Sequence, residues 1–352
     1  MPDPPAKLAG IARFCAAFAL TVTVAASNDG TRQISVLRHQ TLPSGTLESA
    51  PIPKWSSGLL FSLRSLTEGV DQRPNLVAYR TDGSAVARVR VWFPDTFRLW
   101  LHDAAASQEG DVLAAVGVAQ SVRGEFAGFL AFMSPAGAIS RVIRTTPFEG
   151  YAMTFAPDRT IWVLGLQTGT DRSLRRAPEH KVVQQYDAKG ALLKQLLPRS
   201  EFDCGNWHPA RQQGGRAWIL SSADRIGILT SPACPEWLEL SLDGAVVGRW
   251  KIHGMPYAAG PSQDLDGEKR PLLTGVVMTP DGEVYASFGG RRDQHRLFRL
   301  RREPGGWEPV PTADLEGMGL PWFSWLLGSD EDAVVYGSRG RQLRLVWARL
   351  GP

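Results

Sequence analysis

Residues 151–165 read YAMTFAPDRTIWVLG, and residues 275–289 read GVVMTPDGEVYASFG. Each is an apolar strand, a Pro-Asp turn and a second apolar strand, the pattern of a tight β-hairpin, because Asp and Gly enter turn conformations at little steric cost. A second hairpin follows the first of these stretches in VVQQYDAKGALLKQL (182–196). Turns of this second kind recur at Asp82-Gly83, Ala136-Gly137, Lys189-Gly190, Asp243-Gly244 and Gly305-Gly306, and the glycines at 83, 137, 190, 244 and 306 stand 54, 53, 54 and 62 residues apart. Turns of the first kind lie upstream at Ser57-Gly58, Gly110, Asp158-Arg159, Gly214-Gly215, Asp281-Gly282 and Glu331-Asp332. Each precedes a β-rich run such as TIWVLGL (160–166), RAWILSS (216–222) or AVVYGS (333–338). No run carries the 3.6-residue apolar stripe of a long amphipathic helix.

Each unit therefore holds two hairpins, or four short strands, and a fixed period of this size means stacked copies of one supersecondary unit. Four-stranded units of this length, repeated radially, are the blades of a β-propeller. Six inner turns predict six blades, and residues 31–352 divide into six units of about 54 residues. The last unit ends on its third strand, QLRLVWARL (342–350). Its fourth is predicted to be TRQISVLR (31–38), which would close the ring and remove a free pair of strand edges. The hairpin phrases quoted above resemble the six-bladed propellers of the TolB-like and NHL-like group. That resemblance spans most of residues 31–352 and implies an all-β fold of four antiparallel strands per blade. It implies no particular activity, since the group includes hydrolases, lyases, receptors and binding scaffolds.

Hydrophobic residues make up 43% of the 352-residue chain and charged residues 21%, enough for a large core, and the unbroken repeat makes residues 28–352 one domain. The net charge of +4 is carried by interleaved signs, which excludes a nucleic-acid tract. Residues 1–27 read as a secretory signal: Lys7 and Arg13 precede the 13-residue apolar run FCAAFALTVTVAA (14–26), and small residues follow for cleavage. An uncleaved anchor is the competing reading. The run is short for a membrane span and no later segment is longer, so the expectation is a periplasmic or secreted monomer with no span after cleavage. Only Cys204 and Cys234 would then remain. Cys204 lies between the third and fourth units and Cys234 between the two hairpins of the fourth, loops that open on the same face of a propeller. An exported chain with two such cysteines is expected to join them, two separate thiols being the alternative.

No G-x-S-x-G elbow, H-E-x-x-H, C-x-x-C or phosphate-binding glycine loop is present. The candidate ligand site is instead the face that carries Cys204: Asn206, Trp207 and His208 follow it directly, and His253 ends an outer strand nearby. The insertion 256–272 accounts for the long 62-residue step and carries Asp264 and Asp266, weak candidates for a divalent cation such as calcium. An EF-hand would need Asp at Ser262 and Glu at Leu273, so any ion there has a looser site. Against these readings stand a histidine satisfied within its loop and an ordinary polar insertion. The resulting expectation is a non-catalytic propeller that needs no cofactor and takes a protein or small-molecule ligand on that face. The alternative is a metal-dependent hydrolase resembling the calcium-dependent lactonases. That family holds its metal with Glu, Asn, Asn and Asp, whereas this chain has only Asn28, Asn75 and Asn206, the first at the expected cleavage point.

Overall fold

The computed structural model describes residues 34–42, 53–69, 72–168, 179–205, 208–212, 215–231, 234–253, 272–289, 296–310, 324–330, 333–339 and 342–350. The expected leader, Asn206, Trp207 and the insertion bearing Asp264 and Asp266 lie outside these residues. Among them no helix is long and apolar enough to cross a membrane.

Six antiparallel sheets carry the fold. From the inside outwards, blade 1 is Lys54–Ser56, Leu59–Leu63, Leu76–Tyr79 and Ala85–Val89. Blade 2 is Thr96–Ala106, Leu113–Ser121, Phe126–Met133 and Ile139–Arg144, and the two-residue strand Leu66–Thr67 pairs with Arg98 and Leu99 on the free side of its first strand. Blade 3 is Phe148–Phe155, Ile161–Gln167, Lys181–Tyr186 and Leu192–Pro198. Blade 4 is Trp218–Ser221, Arg225–Leu229, Glu236–Ser241 and Val246–Lys251, and blade 5 is Leu272–Met278, Val284–Gly289, Arg296–Arg301 and Gly306–Val310. Blade 6 takes Ser324–Asp330, Ala333–Arg339 and Leu343–Leu350 from the C-terminal end, and its outer strand is Ile34–Thr41. The inner strands touch in cyclic order from blade 1 to blade 6 and back to blade 1, so the six sheets form a closed ring.

Closure occurs where the sequence predicts it, three residues further along. Ile34 pairs with Leu350 and Thr41 with Arg344, antiparallel, with one irregularity between Val36 and Arg38. The Arg38 guanidinium lies 4.1 Å from the Trp347 ring centre and donates to Asp330 Oδ2 at 3.3 Å, while Trp347 Nε1 donates to the same oxygen at 3.1 Å. Trp347 in turn meets Trp55 of blade 1 edge to face at 5.6 Å.

The core explains why the strands read as continuous apolar runs. Six buried clusters fill the six junctions between blades. Alternate side chains of one strand serve opposite neighbours: Ile161 and Val163 pack towards blade 2, Trp162 and Leu164 towards blade 4. A sheet buried on both faces needs no polar face. Backbones also approach closely at the junctions. A Cβ on Gly275 of blade 5 would stand 1.8 Å from the Leu326 carbonyl oxygen of blade 6.

Blade 4 corrects one expectation. RAWILSS does not follow an inner turn at Gly214-Gly215; its Trp218–Ser221 is the inner strand itself. The turn comes afterwards, at Ala223-Asp224, closed by Ser222 N–H to the Arg225 carbonyl at 2.9 Å. Gly215 belongs to a two-residue ribbon pairing Gly215–Arg216 with Arg211–Gln212. The Gly-Gly pair therefore marks the connection between blades, and the true turn has no glycine.

Candidate functional site

Cys204 and Cys234 are joined as a disulfide, with Cα atoms 4.9 Å apart. The bridge ties the blade 3–blade 4 connection to the loop between the second and third strands of blade 4. Two further bonds fix the same connection: Ser231 N–H donates to the Pro209 carbonyl at 2.7 Å, and Arg199 donates through Nη2 to the Gly205 carbonyl at 2.7 Å. His208 lies within this tied segment. Its Nε2 is 2.7 Å from Nε2 of His180, a buried residue at the start of the third strand of blade 3. Asn206 and Trp207 sit between Cys204 and His208 in the chain.

His253 is placed differently. Its N–H lies 3.4 Å from the Gly305 carbonyl, and it bridges to Gly306, so it stands against the outer turn of blade 5. His208 and His253 are thus held by separate elements. Among the carboxylates on and beside the connections between blades, Glu149 is buried and accepts from Tyr151 Oη at 2.9 Å and Thr168 Oγ1 at 2.8 Å. Glu201 faces Arg249 at 3.7 Å and Asp203 faces Lys251 at 3.8 Å. Asn75, one of the two amides available to a lactonase-like site, is buried. It donates to the Val91 carbonyl at 3.0 Å and accepts from Val91 N–H at 2.7 Å.

A cavity of about 670 Å³ runs along the inner strands to the inner turns, including Gly58, Pro157, Ala223 and Pro280. Inner turns and inter-blade connections lie at opposite ends of the inner strands, so this cavity reaches the face away from Cys204. The polar groups in its wall bind neighbouring blades together. Lys54 Nζ donates to Asp103 Oδ2 and to the Met153 carbonyl, both at 2.7 Å, and Asp103 Oδ2 accepts Met153 N–H at 2.8 Å. Three consecutive inner strands are pinned by this one pair, which satisfies the peptide edge that the innermost strand turns towards the channel. Ser57 donates to the Ala106 carbonyl, Ser221 to Phe155 and Ser329 to Met278 in the same manner. Above them, His102 Nδ1 donates to the Gly150 carbonyl at 2.8 Å and its ring stacks on Tyr151 at 4.4 Å.

Sequence reading missed His102, His180, Lys54 and Asp103. The signal was available: His102 to Gly150, Lys54 to Asp103 and Asp103 to Met153 are separations of 48, 49 and 50 residues, each close to one blade period. Polar residues one repeat apart on equivalent strands are spatial neighbours in a ring of blades.

The chain is a six-bladed β-propeller. No protein-family model matches it, and no curated protein sequence matches it. Among solved structures it is similar to a glucose dehydrogenase, at 13% identity over 90% of this chain and 99% of that one, with a TM-score of 0.44. A gluconolactonase from Xanthomonas campestris matches at 13% identity over 91% and 96%, with a TM-score of 0.45. A protein of unknown function from Bacteroides caccae matches at 12% identity over 75% and 81%, with a TM-score of 0.37.

Proposed function

We propose that this protein is an exported, non-catalytic propeller that binds a protein or small-molecule ligand on the face carrying Cys204. The disulfide carries the reading. It adds a covalent tie to a connection that the Ser231–Pro209 and Arg199–Gly205 hydrogen bonds also hold, and it does so two residues before Asn206 and three before Trp207 in the chain, whose amide and indole suit ligand contact. A loop ordered before binding has less conformational freedom to lose when the ligand arrives, which raises affinity without adding contacts. The blade repeat needs no such staple elsewhere, and local departures from a regular repeat are where function concentrates. The channel groups, by contrast, are engaged in joining blades, and Asn75 is committed to Val91. Both observations favour a binding face over a lactonase-like funnel. A disulfide between loops also suits a periplasmic or extracellular compartment.

The test is site-specific photo-crosslinking in the native envelope. A photoreactive residue at Trp207 or Asp266 is expected to capture a discrete adduct, and Asn206→Ala is expected to reduce it about tenfold, a loss of about 1.4 kcal/mol in binding. The same residue at Asp281 or Glu109, on inner turns at the other end, should capture nothing discrete. Adducts only from the inner-turn positions would overturn the assignment, and turnover of a lactone panel that depends on calcium would replace it with the hydrolase reading.

A further inference from the structure

Nine large apolar side chains are exposed among the described residues, and six of them lie on the outer strands of three consecutive blades: Ile139 and Val142 on blade 2, Leu192 and Leu193 on blade 3, Val246 and Val247 on blade 4. Their exposure runs from 39% at Ile139 to 59% at Val247. A repeated device presents them. After each outer turn the outer strand holds one residue too many: Ile139 opposes Met133 but Arg141 opposes Phe132, Leu192 opposes Tyr186 but Lys194 opposes Gln185, and Val246 opposes Leu240 but Gly248 opposes Glu239. Ser140, Leu193 and Val247 are the extra residues. Such a bulge twists a sheet edge and spoils it as a template for another strand. Main-chain pairing with a partner is therefore disfavoured, and the side chains are what this wall offers.

Charge separates blades 2 and 3 from blade 4. Residues 139–144, 192–198 and 246–251 hold five basic residues and no acidic one. On blade 4 the cations are answered: Arg249 pairs with Glu236 at 2.7 Å and Lys251 faces Asp203 at 3.8 Å. On blade 2, Arg141 donates to the Lys189 carbonyl and Arg144 to Thr146 Oγ1 at 3.4 Å; among the described residues neither of them, nor Lys189, has a carboxylate partner. On blade 3, Lys194 donates to the Asp243 carbonyl of the next outer turn. The two outer hairpins, residues 126–144 and 181–198, contain a single acid, Asp187, which accepts Lys189 N–H at 2.8 Å and Ala191 N–H at 2.7 Å within its own turn. The two blades are contiguous here. The Arg141–Lys189 bond joins them, and the Gly190 backbone packs against Ile143 with no room for a side chain.

Aliphatic side chains without donors or acceptors, set beside cations without counter-ions, match an anionic lipid surface. Binding there scales with the apolar area taken out of water plus the attraction to headgroups, and it needs no complementary shape. The centre of a protein interface instead favours Trp, Tyr and Arg, with Leu and Val under-represented. We infer that the outer wall of blades 2 and 3 is a membrane-contact surface, on which Ile139, Leu192 and Leu193 enter the lipid interface and Arg141, Arg144 and Lys189 meet the anionic headgroups. Contact is side-on, because the inner turns at the same end of the blades carry Glu109, Asp224 and Asp281, which anionic lipid repels. The Cys204 face lies at the other end of the blades and stays open. The membrane contact does not rest on the role proposed for that face.

Vesicle co-sedimentation tests this with the oxidised chain from residue 28, since all six blades lie within residues 34–350. Vesicles of about one part phosphatidylglycerol to two of phosphatidylcholine should bind at least about tenfold more tightly than phosphatidylcholine alone, and the difference should shrink as salt shortens the screening length to about 3 Å at 1 M. Leu192→Ser with Leu193→Ser should weaken binding at least about tenfold, and Arg141→Gln about fivefold. Leu37→Ser, which alters a comparably exposed aliphatic on the outer strand of blade 6, should change nothing. A second measurement needs no loss of binding: an environment-sensitive dye on Leu193→Cys should shift to the blue on the mixed vesicles, and the same dye on Leu37→Cys should not. Equal affinity for the two vesicle types, full binding by the Leu192 and Leu193 variant, or equal dye shifts at both positions overturns the inference. A dye at Leu193→Cys that responds to an acidic protein and not to vesicles assigns the wall to a protein partner and overturns it as well. Each of these outcomes leaves the crosslinking test of the binding face untouched.

Discussion

Replacing Asp103 with leucine probes the pin between the inner strands. The Asp103 carboxylate is buried and accepts hydrogen bonds from Lys54 Nζ, Met153 N–H and Ala104 N–H. Its loss leaves the Lys54 ammonium, whose side chain is 19% exposed, without a counter-charge. Breaking a buried pair by removing one partner costs about 3–5 kcal/mol, and the low end applies because Lys54 borders the cavity and keeps the Met153 carbonyl. The orphaned Met153 N–H adds about 1 kcal/mol, so Asp103→Leu should destabilise by about 4 kcal/mol. Lys54→Met leaves Asp103 two backbone donors and should cost about 2 kcal/mol. The double variant buries no unpaired charge. It should be no less stable than Asp103→Leu alone, giving a coupling of about 2 kcal/mol. Urea unfolding of the four proteins, with equal slopes confirmed, measures all three quantities. A double variant that loses the sum of the single losses would show that the two groups act independently and would refute the pin.

Two further outcomes follow from the described contacts. Cys204→Ser with Cys234→Ser removes a cross-link spanning 30 residues and should lower stability by about 3–4 kcal/mol on the chain-entropy estimate; non-reducing peptide mapping of the parent should find the two cysteine peptides linked. Burial pushes the Glu239 carboxyl up, but donors from Trp237, Arg302 and Arg225 outweigh it and hold the group below its ordinary 4.5. Because the folded value is depressed, the stabilisation is fully present above pH 4.5 and is lost as pH falls through the folded value. Glu239→Gln should therefore show a shallower loss of stability than wild type when acid unfolding is followed below pH 4.5, and parallel curves would contradict this.

What the sequence made legible was whatever the repeat encodes locally. The Asp82-Gly83 and Lys189-Gly190 turns announce hairpins because their chemistry acts over four residues, and Gly83 and Gly190 do stand at φ of +82° and +80°. The unpaired edge of QLRLVWARL pointed to a partner strand near the N-terminus. The blade 4 inner turn was hidden because Ala223-Asp224 lacks a glycine, and a Gly-Gly pair in the preceding connection drew the assignment there. The site was harder to read. Cys204 and Cys234 could be matched because they are the only two cysteines in residues 28–352. His180 and His208 lie 28 residues apart in two loops outside the hairpins, and their meeting depends on how blade 3 seats against blade 4. Lys54 and Asp103 fall on equivalent inner strands, but a single Lys or Asp in an apolar run is visible as a partner only once the ring is known.

The central claim is a six-bladed ring closed by the N-terminal strand, and a spin-label distance across that closure tests it most directly. Ser35 and Arg349 are both exposed and stand opposite each other in the closing pair. Cys204 and Cys234 are bonded to each other, so in a protein expressed without residues 1–27, which contain Cys15, the labels attach only at Ser35→Cys and Arg349→Cys. Facing residues of an antiparallel pair have Cα atoms about 4.5–5.5 Å apart, so the closed ring predicts strong dipolar broadening in the continuous-wave spectrum. A spectrum without broadening, with a wide distribution of long distances in a pulsed measurement, would mean that residues 34–41 do not complete blade 6 and would contradict the closed ring.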